Sequence, residues 1–153
     1  MRKEETVDHC IKTAWHAVSR MYNQQAWKHD ITTAIGFVLL NIHSEQGTAA
    51  TKIAPLMGME ARSLTRTLKT MEEKGLIRRE PDAVDKRSVR IFLTDLGKEK
   101  KEVSRQTVLH FNNRVQEQIA PQKLRTFFLV MNEINALALQ GLTESEDLEN
   151  AIY

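Results

Sequence analysis

The chain has 153 residues, 41% hydrophobic and 27% charged, with a formal net charge of +2 and a single cysteine. That length suits one compact domain or two very small ones with a buried core. The longest apolar run, Ile35 to Leu40 with Gly36 inside it, is too short to span a bilayer.

The amino-terminal MRKEETVD has no apolar signal core, so the expected location is cytoplasmic. Cys10 alone forms no internal disulfide and builds no metal site, in keeping with that compartment. The charge is unevenly spread. Between Glu60 and Arg90 nine Lys/Arg stand against six Asp/Glu, a local +3 that leaves −1 for the rest. The tail after Gly141 carries only acids, Glu144, Glu146, Asp147 and Glu149. Such an asymmetry points toward a nucleic-acid face without establishing one.

Residues 5 to 27 place Val7, Ile11, Ala14, Trp15, Val18, Met21 and Tyr22 on one face of an amphipathic helix. Lys28-His29-Asp30 interrupts it. Thr32 or Thr33 then caps a second helix carrying Ile35, Val38, Leu39 and Ile42, which Gln46-Gly47 is expected to end.

A short helix follows from about Ala50 to Met57. Pro55 sits awkwardly in it, since a proline past the first turn loses a hydrogen bond and clashes, at a cost of about 3 kcal/mol. Either the helix starts late, near Thr51, or it kinks. Ala54 and Gly58, four residues apart, allow a close crossing and a tight turn. A second helix runs from Glu60 to about Lys74. Ala61, Leu64, Leu68 and Met71 form its buried stripe, while Arg62, Ser63, Thr65, Arg66, Lys69 and Thr70 occupy the other side. Gly75 is its left-handed cap. Alone, this pattern is equally that of a helical hairpin with a solvated charged face.

The next residues decide. Leu76 to Glu80 and Val89 to Thr94 read as strands. The polar stretch Pro81 to Ser88 between them is too long for a tight turn and forms a protruding tip that carries Lys86 and Arg87. A helix, a turn, a basic helix and a hairpin with arginine at its tip make a winged helix-turn-helix. The basic helix fits a major groove about 12 Å wide, and the tip reaches the neighbouring minor groove.

Lys74-Gly75-Leu76-Ile77-Arg78-Arg79, Asp85-Lys86-Arg87-Ser88-Val89-Arg90 and Leu93-Thr94-Asp95-Leu96-Gly97 together resemble the MarR family of bacterial transcriptional regulators. The likeness extends more weakly over nearly the whole chain. It implies that Arg87 enters the minor groove and that Asp85 stabilises the wing by pairing with a basic residue of the same lobe. It also implies a helical dimerisation domain, and small aromatic or anionic effectors bound between that domain and the DNA lobe, where Trp15 and His16 could line a cleft. Pro55 departs from the family pattern.

Thr94 caps a helix from about Asp95, whose apolar positions recur at Val103, Val108, Phe111 and Val115. Pro121 opens a last helix with Leu124, Phe127, Phe128, Met131, Ile134, Leu137 and Ala138, expected to finish at Gly141. Its apolar face is wide enough to call for a second subunit.

The expected fold is thus mainly α (α+β). Residues 46–97 form the winged helix-turn-helix lobe, 5–45 and 98–141 the dimerisation helices, and 142–153 an acidic tail, all within one MarR-like domain. A two-fold dimer sets two recognition helices about 34 Å apart on a roughly palindromic operator of double-stranded DNA. Arg62, Ser63, Thr65 and Arg66 lie where side chains reach base edges; Lys69, Lys86 and the hydroxyls meet phosphates. His9, His16, His29, His43 and His110 lack metal-ligand spacing, and no phosphate loop, dinucleotide motif or nucleophile motif is present, so no cofactor, metal or enzymatic activity is expected. The function expected is a dimeric DNA-binding regulator, a repressor released by a small effector that favours a mismatched helix spacing. The alternatives are a winged-helix protein-interaction module, or a thiol-based regulator using Cys10, whose neighbours His9 and Lys12 supply some of the cationic setting a reactive thiol needs.

Overall fold

The computed structural model describes residues 2–152, and side chains at residue 2 and residues 4–141. After a short 3-10 turn, Lys3–Glu5, the elements are α1 Val7–Trp27, α2 Thr33–Leu40, β1 Thr48–Ala49, α3 Ala50–Met57, α4 Ala61–Glu73, β2 Ile77–Pro81, β3 Val89–Leu93, α5 Asp95–Gln118 and α6 Pro121–Ile152. The architecture is mainly helical with one small antiparallel sheet, ordered β1-β3-β2. By compactness the chain forms two units, Met1–Leu109 and His110–Tyr153.

In the first unit α2 is apolar on every side and is buried accordingly. Thr32 starts it by accepting the Ile35 N–H on its hydroxyl at 3.2 Å. The helix ends at Asn41, several residues before Gln46-Gly47, because the chain must turn there to lay β1 against β3. Ile35, Val38 and Leu39 of α2, with Ile42 just beyond it, share one core with Ile53, Leu64, Leu68, Met71, Leu76, Ile77, Ile91 and Leu93. Residues of the range expected to serve pairing are therefore the floor of the winged lobe. On α1, Trp15 and Tyr22 pack against Phe37, with ring centroids 6.2 and 5.8 Å apart, while Val7 and Ile11 are exposed.

Helix α3 begins at Ala50 and holds Pro55 within it. Gly58, left-handed at φ 60°, ends it and lets the Met59 N–H return to the Ala54 carbonyl at 3.0 Å. Strand β1 has no counterpart among the sequence expectations. It pairs Thr48 with Ile91 and Ala49 with Arg90. Its entry needs Gly47, since at φ 62° a Cβ there would lie 2.6 Å from the Ile91 carbonyl oxygen.

Strands β2 and β3 pair from Ile77↔Leu93 to Pro81↔Val89. The join from α4 to α5 is compact. Gly75, at φ 69°, caps α4, and the Leu76 N–H returns to the Met71 carbonyl at 2.9 Å. Thr94 donates its hydroxyl to the Gly75 carbonyl at 2.6 Å and accepts the Gly97 N–H at 3.0 Å, so it caps α5 while gripping the end of α4.

The second unit holds the end of α5 and α6. Phe127 and Phe128 stack edge to face at 5.4 Å, and both are exposed together with Leu129 and Leu137. Helix α6 continues past Gly141, where an end was expected, to Ile152. One glycine inside a helix costs only about 1 kcal/mol. Of the expected acidic tail, residues 142–152 continue this helix, while its side chains and Tyr153 lie outside the described residues.

Candidate nucleic-acid interface

Helix α4 turns its apolar stripe inward through Leu64, Leu68 and Met71, all buried. The helical period then leaves Arg62, Ser63, Thr65, Arg66 and Lys69 exposed on the opposite side, where all five are found. The loop between β2 and β3 carries Lys86 and Arg87, also exposed. Every residue expected to meet DNA lies in the first unit, on one of these two elements.

The cations of this region divide into two groups. Arg79 pairs with Glu72 at 3.0 Å and ties β2 to α4. Arg78 pairs with Glu80 and lies over the Phe92 ring, 4.7 Å from its centroid. Lys74 meets Asp30 at 3.3 Å, and Arg90 meets Asp82 at 2.8 Å. Lys69 reaches Glu73 only at 3.9 Å. Arg62, Arg66, Lys86 and Arg87 have no ion-pair partner among the described residues. With Lys52 on α3 also without an ion-pair partner among the described residues, most of the lobe's unpaired cations fall on the outer face of α4 and on the wing tip, where a polyanion would meet them.

The wing tip is organised by two aspartates. Asp82 is only 7% exposed. Its Oδ1 accepts the N–H groups of Val84 at 2.9 Å and Asp85 at 3.2 Å, and its Oδ2 accepts from Arg90 Nε at 2.8 Å. Those backbone donors, and then Arg90, lower its pKa to about 2. Arg90 in turn gives Nη1 to the carbonyls of Gln46 and Gly47 at 3.0 and 3.2 Å, which anchors the wing to the loop before β1. Asp85 accepts the Arg87 N–H at 3.1 Å and the Ser88 hydroxyl at 2.7 Å. The pairing with a basic residue expected of Asp85 is made instead by Asp82, because Asp85 turns back onto its own loop. Asp82 and Arg90 have no assigned role among the sequence expectations; the strand register that sets Arg90 opposite Glu80, just before the tip, brings them together.

Two further expectations can be placed. Within the first unit α1, α2 and α5 surround an apolar cavity of about 30 Å³, lined by Tyr22, Phe37, Val103 and Val108 among others. It is partly open to solvent, and the space that a water molecule reaches in it is small. Trp15 and His16 are not among its lining residues. Cys10 is exposed, and its thiol approaches the Glu4 carbonyl at 3.7 Å. No group of His, Cys, Asp and Glu fit to hold a metal ion exists among the described residues, and no helix there is long and apolar enough to cross a membrane.

Residues 31–89 match the model of the MarR family. Over 88 residues, 58% of this chain, the sequence is 35% identical to the HTH-type transcriptional regulator TtmR of Methylorubrum extorquens (strain PA1), and the match spans 45% of that protein's length. The fold is similar to that of S. aureus MepR in its DNA complex, with a TM-score of 0.79 at 21% identity over 86% of this chain and 97% of that one. It is also similar to the PcaV transcriptional regulator from Streptomyces coelicolor in complex with its natural ligand, with a TM-score of 0.78 at 17% identity over 90% of this chain and 97% of that one. At these identities the two structures establish the winged-helix fold.

Proposed function

We propose, on the match of residues 31–89 to the model of the MarR family, that this chain is a cytoplasmic, sequence-specific transcriptional regulator that binds double-stranded DNA as a homodimer. The carrying observation is the division of cations: four of them, Arg62 and Arg66 on α4 and Lys86 and Arg87 on the wing, have no ion-pair partner among the described residues. In this reading α4 enters the major groove, where Arg62 and Arg66 bond guanine and Lys69 meets phosphate. Arg87 enters the minor groove, with Lys86 on the flanking backbone. Asp85 keeps the tip folded.

The exposed apolar residues of α1 (Val7, Ile11, Trp15) and, separately, of α6 (Phe127, Phe128, Leu137) support pairing with a second copy. Two copies would recognise a pseudo-palindromic operator. Regulation is by repression, relieved by a small aromatic or anionic effector. The apolar cleft bounded by α1, α2 and α5 is the candidate seat for such a ligand in the first unit. In this reading the effector binds the DNA-free state more tightly than the DNA-bound one, the differential binding that release needs.

The test is selection of bound sequences from a random DNA pool, followed by affinity measurements across salt concentrations and light scattering of the free protein. The expected result is an enriched inverted repeat, two copies per particle, and affinity that falls steeply with salt. Enrichment of no sequence would overturn the reading and favour a protein-interaction module.

A further inference from the structure

We propose that Thr65 reads a base edge in the major groove, not a phosphate, and that the pair it selects is A·T. The proposal rests on the DNA-binding reading above and assigns one residue of that face a specific partner.

Thr65 Oγ1 lies 2.9 Å from the carbonyl oxygen of Ala61, one turn earlier in α4. A carbonyl has no hydrogen to give, so the hydroxyl proton lies between the two oxygens. Thr65 therefore shows the exterior an oxygen that accepts and a methyl group. Phosphate oxygens also only accept, and a Thr65 held in this way has no proton to offer them.

The groove offers better partners. Adenine N6 and cytosine N4 donate there, and thymine alone carries a methyl group. Only an A·T pair presents both a donor for the oxygen and a methyl for the methyl. The neighbours fit a divided task. Arg62 stands one turn before Thr65, Arg66 beside it and Lys69 one turn after, all exposed. Arginine forks take the O6 and N7 of guanine, so a residue with no proton to give, set among them, covers the pair they do not. Thr67 and Thr70 donate to Ser63 and Arg66 carbonyls in the same way, at 3.1 and 3.3 Å, but are less exposed than Thr65. Ser63 is exposed and makes no such bond among the described residues, so its proton is available to a phosphate.

The experiment compares the wild-type chain with Thr65→Val, which keeps the shape and loses the acceptor, and Thr65→Ser, which keeps the acceptor and loses the methyl. The site is exposed, and thermal unfolding checks that each variant folds. Each protein is run through selection from a random DNA pool. Single substitutions in the enriched site follow, including purine for adenine and uracil for thymine. The expected outcome is one A·T position per half-site at which Thr65→Val loses about fivefold or more of its discrimination. Thr65→Ser keeps its preference for adenine over purine there and becomes indifferent to uracil. The proposal is overturned if Thr65→Val enriches the wild-type sequence and weakens binding equally on all sites, as loss of a phosphate contact would. A wild-type chain that enriches no sequence overturns the DNA-binding reading itself, which is a separate outcome.

Discussion

Arg90 Nε donates to Asp82 Oδ2 at 2.8 Å, from a strand residue that stands in register with Glu80 on β2 and Ala49 on β1. One guanidinium thus joins three chain segments: β3 that carries it, the turn that Asp82 closes, and the loop whose Gln46 and Gly47 carbonyls accept its Nη1. The wing is shaped by polar bonds rather than by a core, since its tip has almost no apolar contact and Val84 is 96% exposed.

Removing that junction should loosen the wing and leave the helix face intact. Asp82→Ala and Arg90→Ala are expected to speed hydrogen exchange at the Val84 and Asp85 amides and to weaken DNA binding. Protection of Leu64 and Leu68 on α4 should persist. Protection of the wing amides unchanged from wild type would show that the junction is dispensable.

The same aspartate sets a pH dependence whose sign is fixed. Its folded pKa, about 2, lies below its ordinary value of 3.8. Its contribution is therefore complete above the ordinary value and lost as pH falls toward and through about 2. At neutral pH no change is expected from this group. Urea midpoints measured between pH 5 and pH 2 should fall faster for the wild type than for Asp82→Asn, and parallel curves would count against the assignment.

Gly97 admits no side chain. A Cβ there would overlap the carbonyl oxygen of Leu76, and that oxygen already accepts the Thr94 N–H at 3.1 Å. Gly97→Ala should therefore cost about 1–3 kcal/mol, the range for forcing atoms into a packed site. Denaturant unfolding measures it. Gly58→Ala makes a useful control, because no atom lies within 4 Å of a Cβ there and the cost is only that of φ 60°.

The cations proposed to meet DNA should separate by kind. Arg62→Ala is expected to cost about 1–3 kcal/mol and to relax the base preference at one position. Lys86→Ala should weaken all sequences evenly and reduce the slope of log affinity against log salt by about 0.9. Arg87→Ala should lower affinity most where the minor groove is narrow and rich in A·T pairs. All three should fold and remain paired. Unaltered binding by both Arg62→Ala and Arg87→Ala would remove the proposed interface.

Much of this was legible from residue spacing. The α4 stripe of Leu64, Leu68 and Met71, the turn at Gly58, the left-handed cap Gly75 and the capping Thr94 are local signals, and each appears in the structure where its spacing places it. What escaped is non-local. Strand β1 has two residues, too few to show a period of two, and exists only because β3 lies beside it. The end of α2 and its membership of the lobe core depend on packing partners far along the chain. The basic partner expected of Asp85 belongs to Asp82 because both lie in the tip, and only the fold brings Arg90 to one of them.

The corner between α4 and α5 has a consequence for how such chains can be recombined. Gly75, Leu76, Thr94 and Gly97 share donors, acceptors and space so closely that none of the four can be judged alone. A chimera that takes its wing from one parent and its long helix from another must draw all four from the same parent. The workable seams lie beyond them, before α4 or after the first turn of α5. Domain exchange and inherited variation both meet this corner as one indivisible character.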